Sequence, residues 1–105
     1  MLKELKFDQK LNIWQGKISG ELDVFEAPKL QENILRALNE QPGGMRLDCS
    51  NLTYVDSIGL GALVKMNKQI QSACGGSLVL VNLCPRVKKL FTITGLLKTF
   101  GIEEE

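Results

Sequence analysis

The chain contains no histidine. That single absence removes Ser-His and Cys-His nucleophile activation, and most zinc sites, from this chain alone. Cys49, Cys74 and Cys84 are odd in number, widely spaced and without a Cys-x-x-Cys pair. They fit reduced thiols in a cytosol better than disulfides or bound metal. Aromatic residues are scarce, one Trp, one Tyr and four Phe, which argues against base-stacking platforms. Neither sign of charge is in excess: 13 basic residues face 12 acidic ones, for a net charge of +1. Nothing in that balance points to nucleic acid. No apolar run of about 18 residues is present, so no membrane-spanning helix is expected. The opening Met1-Leu2-Lys3-Glu4-Leu5-Lys6 lacks the apolar block of a signal peptide. The expectation is a cytoplasmic protein with no metal, no cofactor and no membrane partner.

What is present is one domain's worth of core. At 105 residues, 44% hydrophobic and 24% charged, the chain supports a single domain over residues 1–105. Leu5, Phe7, Leu11 and Ile13 alternate with polar neighbours and predict an opening β-hairpin with its turn near Asp8-Gln9-Lys10. The alternation slips at Trp14-Gln15-Gly16, where a bulge is expected. Leu30, Ile34, Leu35 and Leu38 lie on one helical face. That helix starts between Asp23 and Ala27, with Pro28 in its first turn, and ends at Gln41-Pro42-Gly43-Gly44. Met45, Leu47 and Cys49 predict a strand with Cys49 in the core, and Ser50-Asn51 a turn. A second helix carries Leu60, Leu63, Val64, Ile70 and Ala73 inward and stops at Cys74-Gly75-Gly76. The apolar run Leu78-Val79-Leu80-Val81 predicts a central strand covered on both faces. Pro85 opens a third helix, with Val87, Leu90 and Phe91 inward, stopped at Gly95. Leu96 to Ile102 forms a last short strand, and Glu103-Glu104-Glu105 a solvated tail. The fold class is α/β: a single-layer mixed β-sheet of four to five strands with three helices.

One stretch resists a purely structural account. In Tyr54-Val55-Asp56-Ser57-Ile58-Gly59-Leu60-Gly61 two glycines follow an Asp-Ser pair at the start of a helix. Each glycine costs a helix about 1 kcal/mol relative to alanine. One account is internal: Ser57 caps the helix, accepting from a backbone N–H near Leu60, and the glycines allow close packing on the sheet. A phosphate cradle is a second, although neither Gly-x-Gly-x-x-Gly nor a Gly-Lys-Ser/Thr pattern is completed. Catalysis by Ser57 lacks a base, since there is no histidine and no lysine at Ser-x-x-Lys spacing. The fourth is a serine presented on a surface meant for another protein. Phosphorylation there would add about −1.5 to −2 charges beside Asp56. Tyr54, just before the turn, could flank such an interface. Trp14 reads as packing.

Gly20-Glu21-Leu22-Asp23, Leu47-Asp48-Cys49, the segment Leu52 to Gly61, Gly75-Gly76 and Val87-Lys88-Lys89-Leu90-Phe91 together resemble a STAS domain. More closely they are similar to bacterial anti-sigma factor antagonists, over about residues 4 to 102. The resemblance implies a non-enzymatic protein that binds an anti-sigma factor serine kinase and so releases the sigma factor. It implies phosphorylation of Ser57 by that kinase, loss of binding, and restoration by a serine phosphatase. The partner surface it implies comprises Asp23, Tyr54, Asp56, Ser57, Ile58, Gly59 and Gly61. Two departures are visible: Ile58 replaces a Ser or Thr common in relatives, and the chain ends where some relatives carry a further helix. The second leaves one sheet face thinner, or open to self-association, and the expected state is a monomer or weak dimer. Related domains also serve as subunits of transporters or sensory assemblies, or as nucleotide- or lipid-binding modules, and these alternatives remain open.

Overall fold

The computed structural model describes residues 1–104. Five strands and three helices follow one another as β1 (Leu2–Asp8), β2 (Ile13–Leu22), α1 (Glu26–Glu40), β3 (Gly44–Val55), α2 (Ser57–Cys74), β4 (Leu78–Val81), α3 (Pro85–Ile93) and β5 (Gly101–Glu103). Their spatial order in the sheet is the chain order. β1 runs antiparallel to β2, and the other three pairings are parallel. Each helix therefore crosses to the next strand in the same direction. Right-handed crossovers that all step one way place every helix on one face of the sheet. The single-layer mixed sheet expected from the sequence is thereby explained.

The strands show the consequence. Trp14, Ile18, Met45, Leu47, Cys49, Leu78 and Leu80 are buried and join Ala27, Leu30 and Ile34 of α1, Leu63 and Ile70 of α2, and Val87 and Phe91 of α3 in one core. The intervening Gln15, Lys17, Arg46 and Asp48 point to the helix-free face. Polar residues are tolerated in a parallel sheet only because that face is open. The expectation that β4 is covered on both faces is accordingly corrected: helices cover one, and Val79 on the other remains half-exposed. The carboxyl groups of this open face are paired or hydrogen-bonded. Arg46 holds Glu103 at 3.1 Å, and the Ser50 hydroxyl donates to Asp48 at 2.6 Å. The Ser50 side-chain and backbone bonds hold the Asp48 carboxyl below its usual value.

Other local expectations need adjustment. The irregularity near Trp14-Gln15-Gly16 lies on the partner strand: register shifts between Lys3 and Lys6, and Glu4 takes φ 55°. A β-carbon at Gly16 would come within 3.0 Å of Leu5, so the bulge forms where β2 has no side chain to offer. Ser50-Asn51 is not a turn. β3 continues through it, with Asn51 opposite Ser19; tertiary pairing overrides turn propensity. In α2, Met66 and Asn67 are buried and Ala73 is exposed. Residues 96–100 form a turn, leaving only Gly101–Glu103 as strand. Of the solvated tail expected at 103–105, Glu103 and Glu104 are exposed, but Glu103 belongs to β5 and Glu104 contacts Lys88 at 3.3 Å; Glu105 lies outside the described residues. Trp14 packs edge-on against Phe7, and its indole N–H donates to the Gln41 carbonyl.

Two buried groups lead to predictions. Asn67 is 1% exposed. Its Nδ2 donates to the Thr99 carbonyl at 3.0 Å, and its Oδ1 accepts from the Leu78 N–H at 2.9 Å. It ties α2 to β4 and to the turn that delivers β5. Asn67→Ala leaves both backbone groups unpaired and is expected to cost about 2–4 kcal/mol, read as a lower urea midpoint; a shift under about 0.5 kcal/mol would contradict the role. Cys49 is fully buried, and burial pushes its thiol up to about 12 from 9.0. Its neutral form contributes stability that is intact below pH 9 and lost as pH rises toward about 12. Alkylation at neutral pH should therefore label exposed Cys74 readily and Cys49 only after unfolding; rapid labelling of Cys49 in the folded protein would be the contrary result.

Candidate functional site

Parallel strands deliver their carboxyl ends to the same edge of the sheet. Leu22 pairs with Val55, so the chain leaves β2 at Asp23 beside the place where β3 leaves at Asp56. The loop 23–25 and the first turn of α2 are thus neighbours by register. The Leu22 carbonyl accepts from the Asp56 N–H at 3.2 Å, fastening the two exits together.

Each exit is closed by an aspartate. Asp23 Oδ1 accepts from the N–H groups of Phe25 and Glu26, both at 3.0 Å, and its carbonyl accepts from Ala27. This satisfies backbone donors at the start of α1 that would otherwise lack partners. Asp56 is extended, with φ −89° and ψ −178°, and is the N-cap of α2. Its Oδ1 accepts from the Gly59 N–H at 2.7 Å. The sequence expectation that Ser57 caps this helix is therefore corrected. A carboxylate is the stronger acceptor and also complements the positive end of the helix dipole. Ser57 is the first residue inside the helix and is exposed. Among the described residues its hydroxyl has no hydrogen-bond partner.

The two glycines have different neighbours. Gly59 is buried, and a β-carbon there would overlap the Leu22 carbonyl oxygen and stand 2.9 Å from the Leu22 Cγ. It admits α2 onto the end of β2. At Gly61 nothing lies within 4 Å of an added β-carbon, and the residue is exposed. Internal packing requires the first glycine but not the second. Gly61 leaves a bare patch of helix beside Ser57.

Around the serine, Ile58 is 52% exposed and Tyr54 44%. Asp23 and Asp56 are half-buried and committed to capping, so each has only part of its carboxylate available to a partner. The structure adds residues that the sequence reading passed over. Val24 and Phe25 are 50% and 76% exposed in the loop beside Asp23. On α3, Ile93 is 71% exposed, and with Arg86, Lys89 and Leu90 it walls a groove that reaches Tyr54. The one available signal was phase, and it was partial: Phe25 falls off the Ala27-Leu30-Ile34 stripe and Ile93 off the Val87-Phe91 pair, whereas Val24, three residues before Ala27, continues the stripe. Exposed apolar side chains gathered at one edge make this a candidate interaction surface.

The glycine contrast is directly testable. Gly59→Ala should lower stability by more than about 2 kcal/mol, because the obstacle is backbone and cannot rotate away. Gly61→Ala should raise stability by about 0.5–1 kcal/mol through helix propensity alone. Equal effects in chemical denaturation would refute the assignment.

Comparison with known proteins agrees with this geometry. The STAS domain family model matches residues 5–105. The chain is 43% identical over 88 residues to an anti-sigma-B factor antagonist of Bacillus subtilis, covering 84% of this chain and 79% of that protein. It is 35% identical over 79 residues to an anti-sigma-B factor antagonist of Listeria monocytogenes, covering 75% of this chain and 68% of the other. Among solved structures, a putative anti-sigma factor antagonist of Thermotoga maritima superposes with a TM-score of 0.83 at 23% identity, over 97% of this chain and 86% of that one. That likeness establishes the shared fold, and the two sequence matches go further: the chain belongs to the STAS-domain family of anti-sigma factor antagonists.

Proposed function

We propose that this protein is a phosphorylation-controlled binding switch. Its unphosphorylated form binds an anti-sigma factor that is also a serine kinase and frees the sigma factor. Phosphorylation of Ser57 ends the interaction, a serine phosphatase restores it, and the cycle runs in the cytoplasm. Asp23, Tyr54, Asp56, Ile58, Gly59 and Gly61 surround or support the contact. The observation that carries this reading is the separation of roles at the start of α2. Asp56 holds the helix end, while the adjacent Ser57 hydroxyl is exposed and unbonded among the described residues.

The physics of the switch follows from that separation. A phosphate on Ser57 sits at the positive end of a helix, which tolerates it. The cap bond from Gly59 to Asp56 is untouched, so folding is nearly indifferent to the modification. A docked protein is not indifferent. It would have to desolvate about two added negative charges next to the Asp56 carboxylate, against a surface of apolar side chains. A hundredfold loss of affinity requires only about 2.8 kcal/mol, well within the cost of burying such a charge without a partner.

Incubation with an anti-sigma factor kinase and ATP should place one phosphate on Ser57 and none on Ser57→Ala. Ser57→Asp should melt within a few degrees of wild type yet bind the kinase at least about a hundredfold more weakly. Phosphate found elsewhere, or an unfolded Ser57→Asp protein, would contradict the reading.

A further inference from the structure

The surface beside Ser57 does not end at the α2 turn. A half-open groove of about 240 Å³ runs between Tyr54-Val55 and α3, where Arg86, Lys89, Leu90 and Ile93 form its other wall. Among the described residues no acidic side chain borders it. Arg86, Lys89 and Ile93 recur at helical spacing, so they share the face of α3 turned away from the buried Val87 and Phe91. Among the described residues neither Arg86 nor Lys89 is in an ion pair, whereas the intervening Lys88 is held by Glu104 at 3.3 Å. The groove thus combines an apolar floor with two uncompensated cations.

Size and position limit what could fill it. Small-molecule sites usually enclose their ligand in about 300–1,000 Å³; this groove is smaller and open along its length. It does suit one or two side chains of a docked protein. It also shares Tyr54 with the surface around Ser57, only three residues from the serine.

We propose that the groove seats an acidic, apolar segment of the same partner that reads Ser57. Apolar side chains rest on Tyr54, Leu90 and Ile93, and a neighbouring carboxylate lies toward Arg86 and Lys89. This inference rests on the proposed function and gives that partner a second point of attachment. The phosphorylatable turn decides whether binding occurs; the groove decides which partner binds and how fast. Paired charges at an interface act chiefly on encounter rate and on rejection of mismatched proteins, so a segment bearing Lys or Arg would be turned away.

The experiment measures association of this protein with the anti-sigma-B factor of Bacillus subtilis for wild type, Ser57→Asp and the double reversal R86E/K89E. The reversal lies on exposed positions and should leave the melting temperature unchanged. It should slow association about tenfold at about 50 mM salt, and the gap should narrow to about twofold at about 500 mM as screening removes the steering. Replacing Ile93 with p-benzoylphenylalanine should cross-link a partner peptide that carries Asp or Glu among apolar residues. Unchanged association of R86E/K89E while Ser57→Asp still abolishes binding overturns the groove and leaves the Ser57 switch standing. A cross-link into a basic segment does the same. Failure of the wild-type protein to bind the kinase at all overturns both.

Discussion

The contact between the first turn of α2 and the Leu22 carbonyl holds the working end of this protein together. One backbone oxygen accepts from Asp56 N–H and lies where a side chain at Gly59 would have to go. Through it the exit of β2 and the exit of β3 become a single rigid junction. That junction sets Ser57 one residue beyond a cap that does not involve it. Nothing of this depends on flexibility. A buried glycine, a parallel register and an aspartate in extended conformation are sufficient.

The sheet supplies the platform because its connections all step the same way. With every helix on one face, the core is one-sided, and the carboxyl edge is free to carry loops that close helices instead of strands that extend the sheet. Asp23 and Asp56 do the same job on α1 and α2. Val24, Phe25 and Ile58 are exposed there because the positions just after each aspartate face away from the core. Val24 and Phe25 follow Asp23 as Ser57 and Ile58 follow Asp56. On the opposite face, Arg46 and Glu103 lie across the open sheet and anchor the short β5 at its edge.

Much of this was legible in the residues. Periodicity and glycine or proline punctuation located all three helices, and the apolar alternation of Met45, Leu47 and Cys49 identified the inner face of β3. The asymmetry between Asp56 and Ser57 was harder to read, since either side chain can cap. Only the backbone angles at residue 56 assign the role. Ser50-Asn51 looked like a turn because local propensity ignores the partner strand that holds it extended. Nothing in the sequence singles out Asn67, for polarity alone does not reveal two backbone groups waiting 11 and 32 residues away. The groove between Tyr54 and α3 joins segments about 30 residues apart, and no local pattern announces such a meeting.

The helix that bears Ser57 is closed by a neighbour's carboxylate, and this has a bearing on how often the protein can be used. A serine that served as its own helix cap would lose its structural bond each time it was esterified, and every round of signalling would tug at the fold. In the proposed function the phosphate would be carried by a residue the architecture does not employ. Under that proposal the same molecule could be marked and erased repeatedly without structural wear, and the pace of such a cycle would fall to the enzymes acting on it.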